Sequence, residues 1–267
     1  PNWSDVQRMF QEYQFNRLIS RINDFDASGS LEKTAPSHQA SFVDTSFSMM
    51  DSEDSFQQLL PLLNKGFAFD LETTSLDPQD AQIVAVSITA SSGLSFVIDC
   101  RMGDDHSSAL FDMNTDRRLH PVFKLLVPLL ESSDIPKILH NAKYEYQVLH
   151  YHDISLSGIH FDTMIAAHLL DSRQSVGLKS LVKNLFDKDM TDFDSMMGDF
   201  DAIVDVPAPT LAAYVADDSN ATYQLFEAFD LHLDGDVRSL FFDLEMPLIP
   251  VLAQMELSGV QCDINYL

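Results

Sequence analysis

Along this chain, stretches that alternate or run apolar over five to seven residues are separated by longer stretches with helical spacing. The first apolar run is Gly66–Glu72, followed by "IVAVSIT" at 83–89 and "LSFVID" at 94–99. Their length and their β-branched and aromatic content predict three strands. The last two are separated by Ala90-Ser91-Ser92-Gly93, which predicts a hairpin. Before them, "SFQQLLPLLNKG" reads as a short helix leading into the first strand. After a polar loop, residues 119–131 read as a helix, "PKILH" at 136–140 as a short buried strand, and "NAKYEYQVLHYH" from 141 as a strand-to-helix turn. Helical spacing returns at 162–171, 177–186, 210–232 and 237–258. A meander of strands followed by mixed strands and helices predicts an α/β domain with a mixed central sheet flanked by helices.

The ends read differently. Val6, Phe10, Tyr13 and Leu18 give residues 3–22 a helical rhythm, so 1–25 is expected to be a helical tail. Residues 26–55 are rich in Ser, Asp and Thr without periodicity and read as a linker.

Composition adds constraints on partners. Forty-one acidic residues face 16 basic ones, a formal net charge of -25. Such a surface repels phosphate backbones at long range, which excludes a broad duplex-binding face. A nucleic-acid ligand would have to be held locally, with help from cations. No apolar run is long enough to predict a membrane span, and the opening Pro1–Asp5 has neither the basic flank nor the apolar centre of a secretory signal. Two cysteines, Cys100 and Cys262, are too few for a disulfide scaffold or a zinc cage. The expectation is a reducing, cytoplasmic setting.

Two features carry chemistry. In "GFAFDLETTSLD" the strand bears Asp70 and Glu72, two residues apart and therefore on one face, with Phe67, Phe69 and Leu71 on the other. Carboxylates spaced about 6–7 Å along a strand repel one another unless a cation lies between them. The helix beginning near Thr210 then places Asp218 on its apolar stripe of Leu211, Val215, Thr222, Leu225 and Phe229. A carboxylate facing the interior is costly unless paired or bound to metal. Tyr214 lies one turn earlier, in reach of whatever Asp218 holds.

Asp70-Leu71-Glu72, "HNAKYE" at 140–145 and Tyr214-Val-Ala-Asp217-Asp218 resemble, in order and spacing, the three motifs of DnaQ-like (DEDD) exonucleases, in their tyrosine form. "FDTMIAAHLLDS" and "GLKSLVKNLF" resemble the segment between the second and third motifs in the proofreading domains of family A DNA polymerases. The opening helix resembles the tail of a 5′-nuclease region, and "EMPLIPVLAQMELSGVQCD" at 245–263 resembles the lead into a polymerase region. The implied organisation is an exonuclease domain over 56–235, with 236–267 starting a polymerase region.

The resemblance implies an RNase H-like fold and a 3′–5′ exonuclease acting on single-stranded or frayed DNA 3′ ends, as a monomer covalently linked to a polymerase domain. It implies two divalent ions, Mg²⁺ or Mn²⁺, held by Asp70, Glu72, Glu145 and Asp218, with Tyr214 orienting the attacking water. By the same resemblance Leu76 is a wedge against the terminal base, Asn141 and Tyr144 hold the terminal nucleotide, and Phe193 stacks on a base. One position departs: the second motif ordinarily ends in Asp, and here it ends in Glu145, one methylene longer. Two rival expectations remain: a catalytically weakened scaffold domain of the polymerase, and a ribonuclease D-like RNA trimmer.

Overall fold

Residues 67–73 alternate between Phe67, Phe69 and Leu71 on one side and Ala68, Asp70 and Glu72 on the other, and that alternation organises the molecule. The computed structural model describes residues 6, 8–10, 41–101, 119–263 and 266. Residues 40–267 form one compact unit and 1–39 another. Of the smaller unit only positions 6 and 8–10 are described, and they are helical. The rest of the expected 1–25 tail, and residues 26–40 of the expected linker, lie outside the described residues.

The larger unit is built on a six-stranded sheet. Its strands are β1 (Ser46–Met49), β2 (Phe67–Thr73), β3 (Ile83–Ser91), β4 (Leu94–Asp99), β5 (Lys137–Leu139) and β6 (Ile159–Asp162), in spatial order β1-β4-β3-β2-β5-β6. The meander β2-β3-β4 is antiparallel, whereas β2-β5, β5-β6 and β1-β4 pair in parallel. The sheet is therefore mixed, as predicted. Flanking helices are α1 (Glu53–Leu63), α2 (Pro121–Glu131), α3 (Ala142–Tyr151), α4 (Thr163–Leu170), α5 (Leu178–Phe186), α6 (Phe193–Met197), α7 (Ala208–Asp230), α8 (Gly235–Leu240) and α9 (Met246–Ser258). A π-helical turn, Phe241–Glu245, joins the last two.

Register makes the two faces of the meander chemically distinct. Phe69 pairs with Ile88 and Ile88 with Phe96, and Leu71 pairs with Val86 and Val86 with Ile98; all six are buried in the main core. The opposite face carries the rows Ala68/Thr89/Ser95, Asp70/Ser87/Val97 and Glu72/Ala85/Asp99. These are mostly small residues, and α7 lies against them. Hydroxyls tie helix to sheet: Thr89 Oγ1 lies 2.7 Å from Ser95 Oγ and 2.8 Å from Ser219 Oγ, and Ser95 Oγ donates to the Ala216 carbonyl. Each such buried hydroxyl would be costly without these partners.

Two sequence expectations need correction. Residues 41–55 are not linker throughout, because Ser46–Met49 forms the edge strand β1 and α1 begins at Glu53. All four β1 residues are exposed, so no alternation marked it. The strand is fixed by distant partners: Gln224 and Asn220 of α7 both donate to the Val43 carbonyl, at 2.9 and 3.0 Å, and Asn220 Oδ1 accepts the Gly93 N–H at 2.8 Å. Gly93 closes the β3–β4 hairpin at φ +80°, a left-handed backbone conformation that favours glycine, and a Cβ there would crowd the Val43 side chain at 2.7 Å. Residues beyond 235 also pack onto this unit. Phe241, Met246 and Ile249 are buried in the same core as β2, and Phe241 meets Phe161 of β6 at 4.7 Å between ring centroids. The predicted helix 237–258 is interrupted by the π-helical turn.

Behind the site, one buried carboxylate holds two helix starts. Asp162, at the end of β6, accepts N–H groups of Asn141 (3.3 Å) and Ala142 (2.7 Å) at the start of α3, and of Met164 (2.8 Å) and Ile165 (3.2 Å) in α4. It caps both helices where each has unsatisfied donors. Asp162→Ala would leave these donors buried and unpaired, and should cost about 2–4 kcal/mol in denaturant unfolding. A change below about 0.5 kcal/mol would show the clamp to be dispensable.

Candidate active site

β2 supplies the first two acids because its neighbours differ on its two sides. It pairs antiparallel with β3 on one side and parallel with β5 on the other, so α3 starts beside its carboxyl end. Open α/β sheets bind ligands at such points, where strand order changes direction. α7 brings the third acid across the small-residue face. Carboxylate oxygens of Asp70, Glu72 and Asp218 lie within 4.8 Å of one another. Asp218 is buried and its Oδ1 has no hydrogen-bond partner. Three hard oxygen donors converging around an unpartnered buried oxygen fit a divalent cation.

Glu145 stands apart from this trio. It is buried in the first turn of α3, and its Oε2 also lacks a partner. Burial pushes its carboxyl well above the usual carboxylate range, with Asp162 and Glu72 adding to the effect. Its charge also raises Asp70. Glu145 thus faces the same charge cluster without joining the close triad.

The triad is electrostatically strained. Burial, then the charges of Glu72, Asp218 and Glu145, hold Asp70 well above its ordinary range. Burial and Asp218 push Glu72 to about 8, and burial raises Asp218 to about 7 against the opposing pull of Lys179. Tyr214 is buried beside them, with its hydroxyl accepting from Lys179; burial first, and then Asp218, drive its phenol far upward, so it is a neutral hydroxyl.

The remaining predicted residues are spread around the triad. Asn141 precedes α3 in the left-handed region (φ 71°), a conformation Asn tolerates better than most residues. Tyr144 points its hydroxyl at Thr73 Oγ1 (2.5 Å) and at the Ser75 carbonyl (2.6 Å), so it braces the loop after β2. That loop presents Leu76, which is 94% exposed. Phe193, 45% exposed, begins α6. Leu76 and Phe193 are outside the carboxylate cluster, on separate elements.

Sequence reasoning missed Lys179. Among the described residues it is the cation beside the triad: its Nζ donates to Tyr214 Oη at 2.7 Å, lies 3.9 Å from the Tyr214 ring centroid and sits 3.8 Å from Asp218 Oδ2. As one of two lysines in "GLKSLVKNLF" it carried no signal, because its partners are 35 and 39 positions away.

Comparison with known proteins identifies the family. Residues 47–234 match a family model described as 3′–5′ exonuclease, and the chain belongs to that family. It is 34% identical over 208 residues to DNA polymerase I of Chloroflexus aurantiacus, covering 75% of this chain and 21% of that protein. It is 33% identical over 211 residues to DNA polymerase I of Pseudomonas aeruginosa, with coverages of 75% and 22%. The chain thus spans about a fifth of these curated relatives.

Solved structures share the fold. The POL domain of Pol1 from M. smegmatis, complexed with DNA primer-template and dNTP, matches at TM-score 0.62 and 22% identity, over 82% of this chain and 33% of that one. Brucella melitensis NrnC with bound Mg²⁺ matches at 0.58 and 20%, over 83% and 97%. Escherichia coli RNase D matches at 0.57 and 16%, over 81% and 52%. No helix among the described residues is long and apolar enough to cross a membrane.

The raised carboxyls make a signed prediction. Glu72 and Asp218 bind protons more tightly folded than unfolded, so their contribution to stability is full below about pH 4 and is lost as pH rises through 7 to 8. In EDTA, the melting temperature should fall between pH 5 and 8, and Glu72→Gln should flatten that slope. Saturating Mn²⁺ should raise the melting temperature more at pH 8 than at pH 6, because the ion requires ionised ligands. An identical pH slope in Glu72→Gln would contradict this assignment.

Proposed function

We propose that this chain hydrolyses the 3′-terminal phosphodiester of single-stranded or frayed DNA, releasing nucleoside 5′-monophosphates, as the proofreading part of a DNA polymerase I. The observation that carries the reading is the convergence of Asp70, Glu72 and Asp218 within 4.8 Å around an unpartnered buried oxygen. In the reaction a water oxygen bonds to phosphorus while the bond to the O3′ of the penultimate nucleotide breaks.

Asp70, Glu72 and Asp218 would hold two divalent cations, Mg²⁺ or Mn²⁺, with Glu145 beside the second; bound there, the ions supply positive charge at the attacking and leaving oxygens. Tyr214, a neutral hydroxyl beside Asp218 and held by Lys179, orients the water. Leu76 wedges against the terminal base from the loop that Tyr144 braces, Asn141 and Tyr144 border the terminal nucleotide, and Phe193 offers a stacking face. Stacking and a few polar contacts hold single strands without relying on a basic surface, which suits a chain of net charge -25.

The support for a DNA substrate is that relatives above 30% identity are named DNA polymerase I. By the same support, the whole protein is a DNA-directed DNA polymerase of replication and repair, to which this domain is covalently joined. The likeness to RNase D is one of fold, so an RNA trimmer is the weaker reading. A weakened scaffold domain has one observation in its favour: Glu145 lies outside the close triad.

Incubating 5′-labelled single-stranded DNA with the protein in Mg²⁺ or Mn²⁺ should give a ladder shrinking from the 3′ end. Asp70→Ala should abolish the ladder, and an RNA of the same sequence should be cut more slowly. Glu145→Asp should raise the Mg²⁺-supported rate roughly tenfold, the scale on which a shifted metal-site group matters. No degradation in either metal, with Glu145→Asp also inert, would leave the scaffold reading in its place.

A further inference from the structure

The carboxylate cluster has its own built-in cation. Lys179 lies in the first turn of α5, and its side chain is partly exposed, with a relative area of 28%. One side of it faces the site, with Nζ 2.7 Å from Tyr214 Oη and 3.8 Å from Asp218 Oδ2. Its other side lines an open cleft of about 450 Å³ shared with Ser175, Ser180, Lys183, Asn184 and Asp189. Lys179 is thus an ammonium on a flexible stem at the border between the acids and a polar, open space. Its charge acts on Asp70, Glu72 and Asp218 together.

We propose that Lys179 is the resident counter-cation of this cluster: it holds Asp218 and Tyr214 in place when no metal is bound, and it competes with a divalent cation for Asp218. The inference rests on the reading of the triad as a metal site. Two positive charges within about 4 Å repel strongly in a partly buried site. Binding of an ion at Asp218 therefore requires the ammonium to swing out, and the cleft gives it room. There it can bond to Ser175 or Ser180, or to Asp189, which already pairs with Lys183 one turn further along α5. The arrangement keeps the motif tyrosine ordered in the metal-free protein at the expense of metal affinity. Lys179 is a positioning residue, and a purely structural role would change stability without changing metal affinity in this direction.

The test is Mn²⁺ binding by calorimetry at pH 7.5, with melting in EDTA alongside, for the wild-type chain and for Lys179→Met, Lys179→Gln and Lys179→Arg. Lys179→Met and Lys179→Gln should bind Mn²⁺ about fivefold or more tightly than wild type, melt several degrees lower in EDTA, and gain more in melting temperature when Mn²⁺ is added. Lys179→Arg, which keeps the charge, should stay close to wild type in affinity. Equal or weaker Mn²⁺ binding by both neutral variants would overturn the competition while leaving the metal site standing. Failure of all four proteins to bind Mn²⁺ would overturn both this inference and the metal-site reading beneath it.

Discussion

The close packing of α7 on the small-residue face of β2, β3 and β4 is the constraint from which the site follows. Had Ala68, Ala85, Ser87 and Thr89 been as large as Phe69, Ile88 or Val86 on the opposite face, α7 would stand further from the sheet, and Asp218 would not meet Asp70 and Glu72. Hydroxyl contacts between Thr89, Ser95 and Ser219 then fix the helix in rotation, which decides whether residue 218 faces the strand or solvent. Asn220 and Gln224, on the same helix, extend the grip to β1 through Val43. One helix therefore sets both the edge of the sheet and the third carboxylate of the cluster.

That precision concentrates negative charge in a protein already carrying an excess of it. Three acids within 4.8 Å, with Glu145 near, cannot all ionise in isolation. Protons, the Lys179 ammonium or added cations must take up the charge. Each leaves a different signature: a downward slope of stability with pH, a neutral-variant gain in metal affinity, and release of protons on metal binding. The site is thereby a locally unfavourable arrangement, of the kind that persists where local strain serves function. The fold tolerates it because the other side of the sheet is a continuous aromatic and aliphatic core, and because Asp162 anchors α3 and α4 from behind.

Much of this was readable from residue order. Strands at 66–72, 83–89 and 94–99 stood out by alternation and came out within two residues of their bounds, and the stripe Leu211, Val215, Thr222, Leu225, Phe229 placed Asp218 inward, where it is buried. What escaped was set by distant partners or by short length. β1 has four exposed residues and depends on α7; β6 has four residues and depends on β5; Lys179 acts on groups 35 and 39 positions away, and Asp162 reaches back 20 and 21 positions to the start of α3. The π-helical turn between α8 and α9 left no mark in the spacing at all. In retrospect the alternation of large Val86 and Ile88 with small Ala85, Ser87 and Thr89 was a visible signal for close helix packing.

The central claim is that Asp70, Glu72 and Asp218 hold a pair of cations. Anomalous diffraction from crystals grown with Mn²⁺ tests it without reference to turnover. The account predicts two peaks about 3.5–4 Å apart, with Asp70 between them and Asp218 at one. Absence of any peak beside Asp70 at saturating Mn²⁺ would contradict it.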